Sequence, residues 1–277
     1  MPSLPDEKIG EVTIRIVAEK GRYRGCLIRG RKPGEIHESD DLPSLQARLR
    51  NEAGKLHPDY TGMDGAIARF LHLFPGGFAD PAYVQDERDY KVAAQERLKA
   101  VLSLDAASGA TPDDAIAVRR AFAKTNILHT TELARAHELL GGGANGAAYV
   151  RAAARFTRGE LEAGLAGMVT AITPHGRSSW PLLTYLSSLW APDQHMFLKP
   201  GATCDFAQRV GHRFQYSYAA TPDAAVYRAL LDLVADTELG LAALQPRDRT
   251  DVQSFIWVVG DYTDAELPRL ERLRASA

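Results

Sequence analysis

The chain has 277 residues, 45% of them hydrophobic and 25% charged, and a formal net charge of −2. That balance excludes a disordered polyelectrolyte and a generally basic coat, and it suits one large domain or two modest ones. Two cysteines, Cys26 and Cys204, stand far apart, which excludes a disulfide framework and paired zinc-ligand spacing.

The opening residues, Met1 to Glu7, have no apolar core of the kind a signal peptide needs, and no run approaches the length of a membrane span. A soluble, cytoplasmic protein with no membrane partner is therefore expected. From Glu11 to Ala18 apolar residues alternate (Val12, Ile14, Ile16, Ala18), Glu19 to Gly21 offer a turn, and Arg22 to Arg29 read as a returning strand. Pro33 and Gly34 predict a second turn, Glu35 to Ser39 a short third strand, and Asp40 or Asp41 the cap of a helix through Leu42, Leu45 and Leu49.

Residues 1–58 thus form a βββα unit. The run Gly21-Arg22-Tyr23-Arg24-Gly25 is similar to the opening strand of the AP2-like arm-binding domains of integrases, and the βββα outline also resembles the HicB-like antitoxin fold. The resemblance is confined to this unit and implies topology alone. No functional residue is carried over, because the glycine and aromatic pattern expected before the helix is absent.

Residues 59–277 read as a mainly helical, alanine-rich domain, with the boundary near Leu56 to Thr61. Helices are predicted near Met63–Leu73, Pro81–Leu102, Pro112–Lys124, Thr131–Leu140, Gly146–Phe156, Arg158–Ala171, Trp180–Trp190, Ala202–Val210, Pro222–Leu244 and Asp251–Val259, several of them opened by an acid or Thr before Pro. His195–Leu198 and His212–Tyr218 read as short strands that either pair with each other or extend the N-terminal sheet. The predicted class is α+β, predominantly helical.

Charge is the strongest functional signal. Between Arg15 and Lys32 lie Arg15, Lys20, Arg22, Arg24, Arg29, Arg31 and Lys32 against the single acid Glu19. A cationic hairpin on a nearly neutral protein attracts polyanions. Alternation puts Arg22 and Arg24 on one face, where they can reach phosphates, and Tyr23 on the other. The same residues also suit an edge strand guarded by charge against aggregation. A second basic set runs from Arg119 to Arg158, with Arg119, Arg120, Lys124 and Arg135 ahead of Arg151, Arg155 and Arg158, which share a face at helical spacing. Thr131–Leu140, the turn Gly141–Gly143 and Asn145–Phe156 loosely fit a helix-turn-helix, although a plain helical hairpin fits as well. The expected function is nucleic-acid binding through Arg22, Arg24, Arg29, Arg31 and Lys32, assisted by Arg151, Arg155 and Arg158, by phosphate neutralisation with counterion release.

Two alternatives come from other classes. An enzyme acting on a small anionic substrate would use the cluster Asp193, His195 and Lys199, with Asp193 and His195 as an acid/base pair and Arg177 from the preceding loop. A protein-interaction module would expose Trp180, Trp190 or Trp257. No catalytic motif marks the chain as an enzyme. No metal or cofactor site is expected: the histidines have no ligand spacing, and Gly141–Gly146, which formally satisfies GxGxxG, follows a helix where a dinucleotide fingerprint follows a strand. The acidic, apolar C-terminal helices are compatible with a homodimer.

Overall fold

The structure, a computed structural model, describes residues 4–9, 12–19, 21–122 and 128–276. Its first element is β1 (Glu7–Ile9), which pairs antiparallel with β2 (Val12–Glu19). Val12, Ile14 and Ile16 of β2 are buried, as the alternation requires. β3 (Arg22–Arg29) returns beside β2 with Glu19 opposite Arg22 and Ile16 opposite Gly25. The predicted hairpin is thus present, reversed at Gly21 with φ of 82°; Lys20 and Glu11 lie outside the described residues. The second turn falls at Gly30 and Arg31 instead of Pro33–Gly34. Gly30 takes φ of 62°, which glycine adopts without steric cost, and Pro33 belongs to β4 (Lys32–Pro33), paired with the end of β3. β5 (His37–Ser39) pairs with the start of β3.

One face of this sheet is covered by α1 (Leu42–Gly54). Asp41 caps it, its Oδ2 accepting from the Ser44 backbone N–H at 2.9 Å. Leu45, Leu49 and Ala53 pack on Ile9, Val12, Ile14 and Ile16 to make a small apolar cluster. Gly25 lets the helix pack closely where it crosses β3: a Cβ there would lie 2.7 Å from Leu49 Cδ1 and 2.9 Å from Ile16 Cγ1, so those side chains would have to shift.

The remaining described residues carry the helices α2 (Gly62–Leu73), α3 (Pro81–Tyr83), α4 (Asp89–Val101), α5 (Leu104–Ala107), α6 (Pro112–Phe122), α7 (Thr130–Leu139), α8 (Ala144–Thr157), α9 (Leu161–Ile172), α10 (Trp180–Trp190), α11 (Pro200–Val210), α12 (Phe214–Ser217), α13 (Ala224–Gly240), α14 (Arg249–Asp261) and α15 (Leu267–Ala275). The class is α+β and predominantly helical. The expected helix over Pro81–Leu102 is interrupted by a π-helical turn, Val84–Arg88, between α3 and α4. The predicted end of α6 at Lys124 lies outside the described residues.

Neither predicted late strand forms. His195–Leu198 is irregular and joins no sheet, and Phe214–Ser217 is the short helix α12. His195–Leu198 is buried in the helical core and Phe214–Ser217 is anchored to it by the buried Phe214, and periodicity in so short a run does not separate these cases from a strand. Side chains meet backbone groups of both: Thr184 Oγ1 accepts from the Leu198 N–H at 2.9 Å, Tyr227 Oη from the Met196 N–H at 3.2 Å, and His212 Nδ1 from the Phe214 N–H at 3.1 Å.

The large core is knit by aromatic rings, with Phe70 against Phe78 at 5.0 Å and against Phe255 at 5.2 Å between centroids. It meets the N-terminal unit at a close junction. The Arg213 N–H donates to Asn51 Oδ1 at 2.8 Å, and a Cβ on Gly54 would lie 2.5 Å from the Gly211 carbonyl oxygen. Among the described residues no helix is long and apolar enough to cross a membrane.

Candidate ligand-binding cleft

The hairpin arginines that share the open sheet face are already occupied. Arg22 Nε donates to Asp40 at 2.6 Å, Arg24 Nε pairs with Glu38 at 2.8 Å, and Arg15 grips Asp6 with Nη2 at 2.6 Å. The acids come from β5 and from the residues flanking the sheet, so the segment is far less cationic in space than along the chain. Arg29, Arg31 and Lys32 differ. They cluster around the β3–β4 turn, exposed and without an ion pair among the described residues.

The arginines of α8 are also spent internally. Arg151 donates to the Ala110 carbonyl, Arg155 pairs with Glu160 at 2.7 Å, and Arg158 donates to the Leu104 carbonyl and to Asp105, each at 3.0 Å. They tie α8 to α5 and to the turn before α9. The main packing partner of α8 is α9, not α7, and a Cβ on Gly164 would lie 2.5 Å from Phe156 Cβ. The helix pair is therefore part of a bundle. Lys124 lies outside the described residues.

Of the group Asp193, His195, Lys199 and Arg177, only Lys199 and His195 reach a concave surface, and they do so separately. Asp193 and Arg177 are exposed and line neither chamber of the cleft described below. His195 is buried between Tyr227 and Thr157. Its Nε2 lies 2.9 Å from the Thr157 carbonyl, which can only accept, so Nε2 carries the hydrogen and Nδ1 accepts from Tyr227 Oη at 2.9 Å. Burial holds its pKa below the ordinary histidine value, the Thr157 contact opposing and Arg249 reinforcing that shift. The Asp193–His195 acid/base pair is thus replaced by a neutral histidine that fastens the irregular segment to α8 and α13. Tryptophan exposure fails similarly for two of three: Trp180 and Trp190 are buried, their indole N–H groups donating to the Ala219 and Leu102 carbonyls.

The third, Trp257, lines a charged cleft of about 250 Å³. Four parts of the chain build it. The π turn and the start of α4 supply Asp86, Glu87, Tyr90 and Lys91, which three- and four-residue spacing places on one side. The irregular segment supplies Phe197 and Lys199, α14 supplies Gln253 and Trp257 one turn apart, and Tyr262 with Arg269 closes the far side. A smaller chamber shares Lys91, Phe197 and Gln253 and continues to Gln95, His195, Arg249 and Thr250.

The floor is a buried polar chain. Lys91 Nζ donates to Glu87 Oε2 at 2.9 Å and to Ser254 Oγ at 2.8 Å, and Ser254 Oγ donates to the Thr250 carbonyl at 2.8 Å. The Tyr262 hydroxyl lies 2.5 Å from Glu87 Oε1 and 2.8 Å from Asp86 Oδ2, so two carboxylates compete for one proton. Arg269 pairs with Asp86. Burial, reinforced by Glu87, raises the phenol pKa values of Tyr90 and Tyr262 far above the ordinary tyrosine range, so both stay protonated. A rigid frame holds this wall in place: Arg88 pairs with Asp248 at 2.9 Å and Asp251 at 2.8 Å, and the fully buried Asp251 also accepts from Tyr83 Oη at 2.6 Å. A π turn inserted into a helix is a common device for re-aiming side chains at functional sites.

Lys199 stands apart from the other cations. It is half-buried, its Nζ lies 3.8 Å from the centroid of the Trp257 ring, and no carboxylate is within ion-pair distance among the described residues. Desolvation lowers its pKa below the ordinary lysine value, against a partial opposing pull from Asp261, Glu132 and Glu87.

Most of this site escapes a reading of the sequence. Glu87, Lys91 and Gln95 fall in the phase of the buried stripe that continues to Leu98, and charged residues in core positions are the one available signal. Tyr90, Gln253, Tyr262 and Arg269 carry none. No family model matches the chain, and no curated protein or solved structure does either.

Proposed function

We propose that the cleft binds a small molecule combining one anionic group with a flat ring, and that Lys199 is its charge partner. The observation that carries this reading is the unpaired, half-buried Lys199 ammonium on the Trp257 ring. Every other cation lining the larger chamber already faces a carboxylate: Lys91 faces Glu87, and Arg269 faces Asp86. The lining therefore holds one positive charge in excess, in surroundings where Coulomb attraction is stronger than in water. Trp257, Tyr90, Tyr262 and Phe197 supply the ring-shaped walls typical of small-molecule sites.

Benzoate titrated against the intrinsic fluorescence of the protein, with Trp257→Phe identifying the reporting tryptophan, tests the reading. Saturable quenching is expected for benzoate and not for neutral benzamide, and Lys199→Met should abolish it. The bound forms are the lysine ammonium and the benzoate anion, so affinity should be constant around neutral pH and fall as pH rises through the lysine's titration, below the ordinary value of about 10.4. Benzamide binding as well as benzoate, or unchanged binding by Lys199→Met, would sink the proposal.

A second reading keeps nucleic acid as partner at a smaller site. What favours it is the group Arg29, Arg31 and Lys32, three exposed cations around one turn with no acid paired to them among the described residues. Phosphates spaced along a backbone suit such a cluster.

A further inference from the structure

Several buried and half-buried ionisable groups elsewhere among the described residues are held by structural partners. Asp251 is held by Arg88, Arg247 and Tyr83, and Asp80 by Arg274. Cys204 is half-buried, and burial pushes its thiol up to about 11, which leaves it inert at neutral pH. Lys199 differs from these: it is a primary amine on the wall of a cleft, with no carboxylate within ion-pair distance among the described residues. The groups that share its surroundings are the Trp257 ring, the cations Lys91 and Arg269, the phenols Tyr90 and Tyr262, and the carboxylates Asp86, Glu87, Asp261 and Glu132, none of which pairs with it.

We propose that Lys199 is a nucleophile whose amine condenses with the carbonyl carbon of an aromatic 2-oxo acid seated in the cleft. The inference rests on the anion-binding reading above and names the class of ligand. In a 2-oxo acid the carboxylate is bonded directly to the carbonyl carbon. Ion pairing with the ammonium therefore brings the electrophile to the same nitrogen, and one side chain serves both steps.

The chemistry balances without a redox partner. Lys199 first loses a proton to solvent, and its lone pair then forms the new C–N bond while the carbonyl π electrons move to oxygen, which takes up a proton. The resulting carbinolamine expels its hydroxyl as water, and the second N–H proton is released. The sum is amine plus ketone giving imine plus water. Desolvation of the amine favours the uncharged form that attacks, as in other lysines that work as nucleophiles. Protonation of the imine restores one positive charge beside the substrate carboxylate, so the charge balance of the cleft is the same before and after.

The test incubates the full chain with phenylglyoxylate and sodium cyanoborohydride and follows modification of each lysine by peptide mass spectrometry. The expected adduct adds the mass of the free acid less one oxygen atom. Lys199 should be labelled at least roughly tenfold faster than the exposed Lys55 and Lys99, because the seated 2-oxo acid holds its carbonyl carbon at the Lys199 nitrogen. Mandelate has the same shape without the carbonyl; it should bind, form no adduct and protect Lys199. Lys199→Arg should keep mandelate binding and lose the adduct, and should that variant not fold, protection by mandelate on the unaltered chain reads the same step. Mandelate binding together with labelling of Lys199 no faster than Lys55 would overturn the nucleophile and leave the anion site standing. Failure of both compounds to bind would overturn both.

Discussion

Replacing Lys91 with Met strips Glu87 of its cation in a place water scarcely reaches, since Glu87 is 2% exposed and Lys91 5%. In the native chain the Glu87 carboxylate accepts from Lys91 at 2.9 Å and faces the Tyr262 hydroxyl at 2.5 Å. After the substitution one oxygen keeps the phenol and the other has nothing, while Ser254 loses its donor. Removing one member of a buried pair costs about 3–5 kcal/mol, because the surviving charge stays desolvated. At about 2–4 °C per kcal/mol for a domain of this order, Tm should fall by roughly 10 °C. The companion variant Glu87→Gln with Lys91→Met removes both charges and keeps the volume, and it should lie well above Lys91→Met alone in stability. Urea unfolding monitored by far-UV circular dichroism gives the comparison. A single variant that costs less than about 1 kcal/mol, or a double variant no more stable than the single, would refute the claim that the cleft floor is a desolvated ion pair.

Three other outcomes are expected. Gly54→Ala should cost about 1–3 kcal/mol, since its methyl would sit 2.5 Å from the Gly211 carbonyl at the junction of the two parts of the chain; hydrogen exchange should quicken around Asn51 and His212, and an unperturbed Tm would contradict the close approach. Changing Arg29, Arg31 and Lys32 together to Ala should weaken salt-sensitive binding to labelled duplex DNA, measured by anisotropy, more than changing the ion-paired Arg22 and Arg24; the reverse order would remove the turn as the polyanion site. Asp232 is held below the ordinary carboxylate range by its hydrogen bond to His212, against burial and with help from Arg213. Its stabilising contribution is therefore present above the unfolded pKa of about 3.9 and is lost as pH falls through the lower folded value. Asp232→Asn should flatten the acid limb of the stability curve there, and an unchanged limb would show that the contact carries no linkage.

In the hairpin, charge along the chain differs from charge in space. Arg22 and Arg24 do share a face, as a two-residue period demands, yet that face also receives Glu38 and Asp40 from the next strand and its exit. Counting residues in a window registers the arginines and misses acids that arrive by strand pairing. Among the described residues, Arg29, Arg31 and Lys32 at the β3–β4 turn are left without an ion pair.

What the amino-acid order determined by itself is the local architecture. Alternation in Val12–Ala18, the Asp41 cap and the acid-before-proline start at Asp80 each act over a few residues, so the hairpin, α1 and most of the helices are legible without tertiary information. Tertiary structure alone decided the fate of His195–Leu198, which the helical core covers, and of Phe214–Ser217, a short helix anchored by the buried Phe214. It also decided the cleft. Glu87, Lys199, Gln253 and Tyr262 are far apart in the chain, and whether a charge is paired depends on which helices are packed together, a long-range outcome that no local pattern encodes. The sequence places Lys199 in a loop cluster with Asp193 and His195; in the folded chain Tyr227 and Thr157 hold His195, Asp193 is exposed, and Lys199 stands against Trp257 with no ion pair among the described residues.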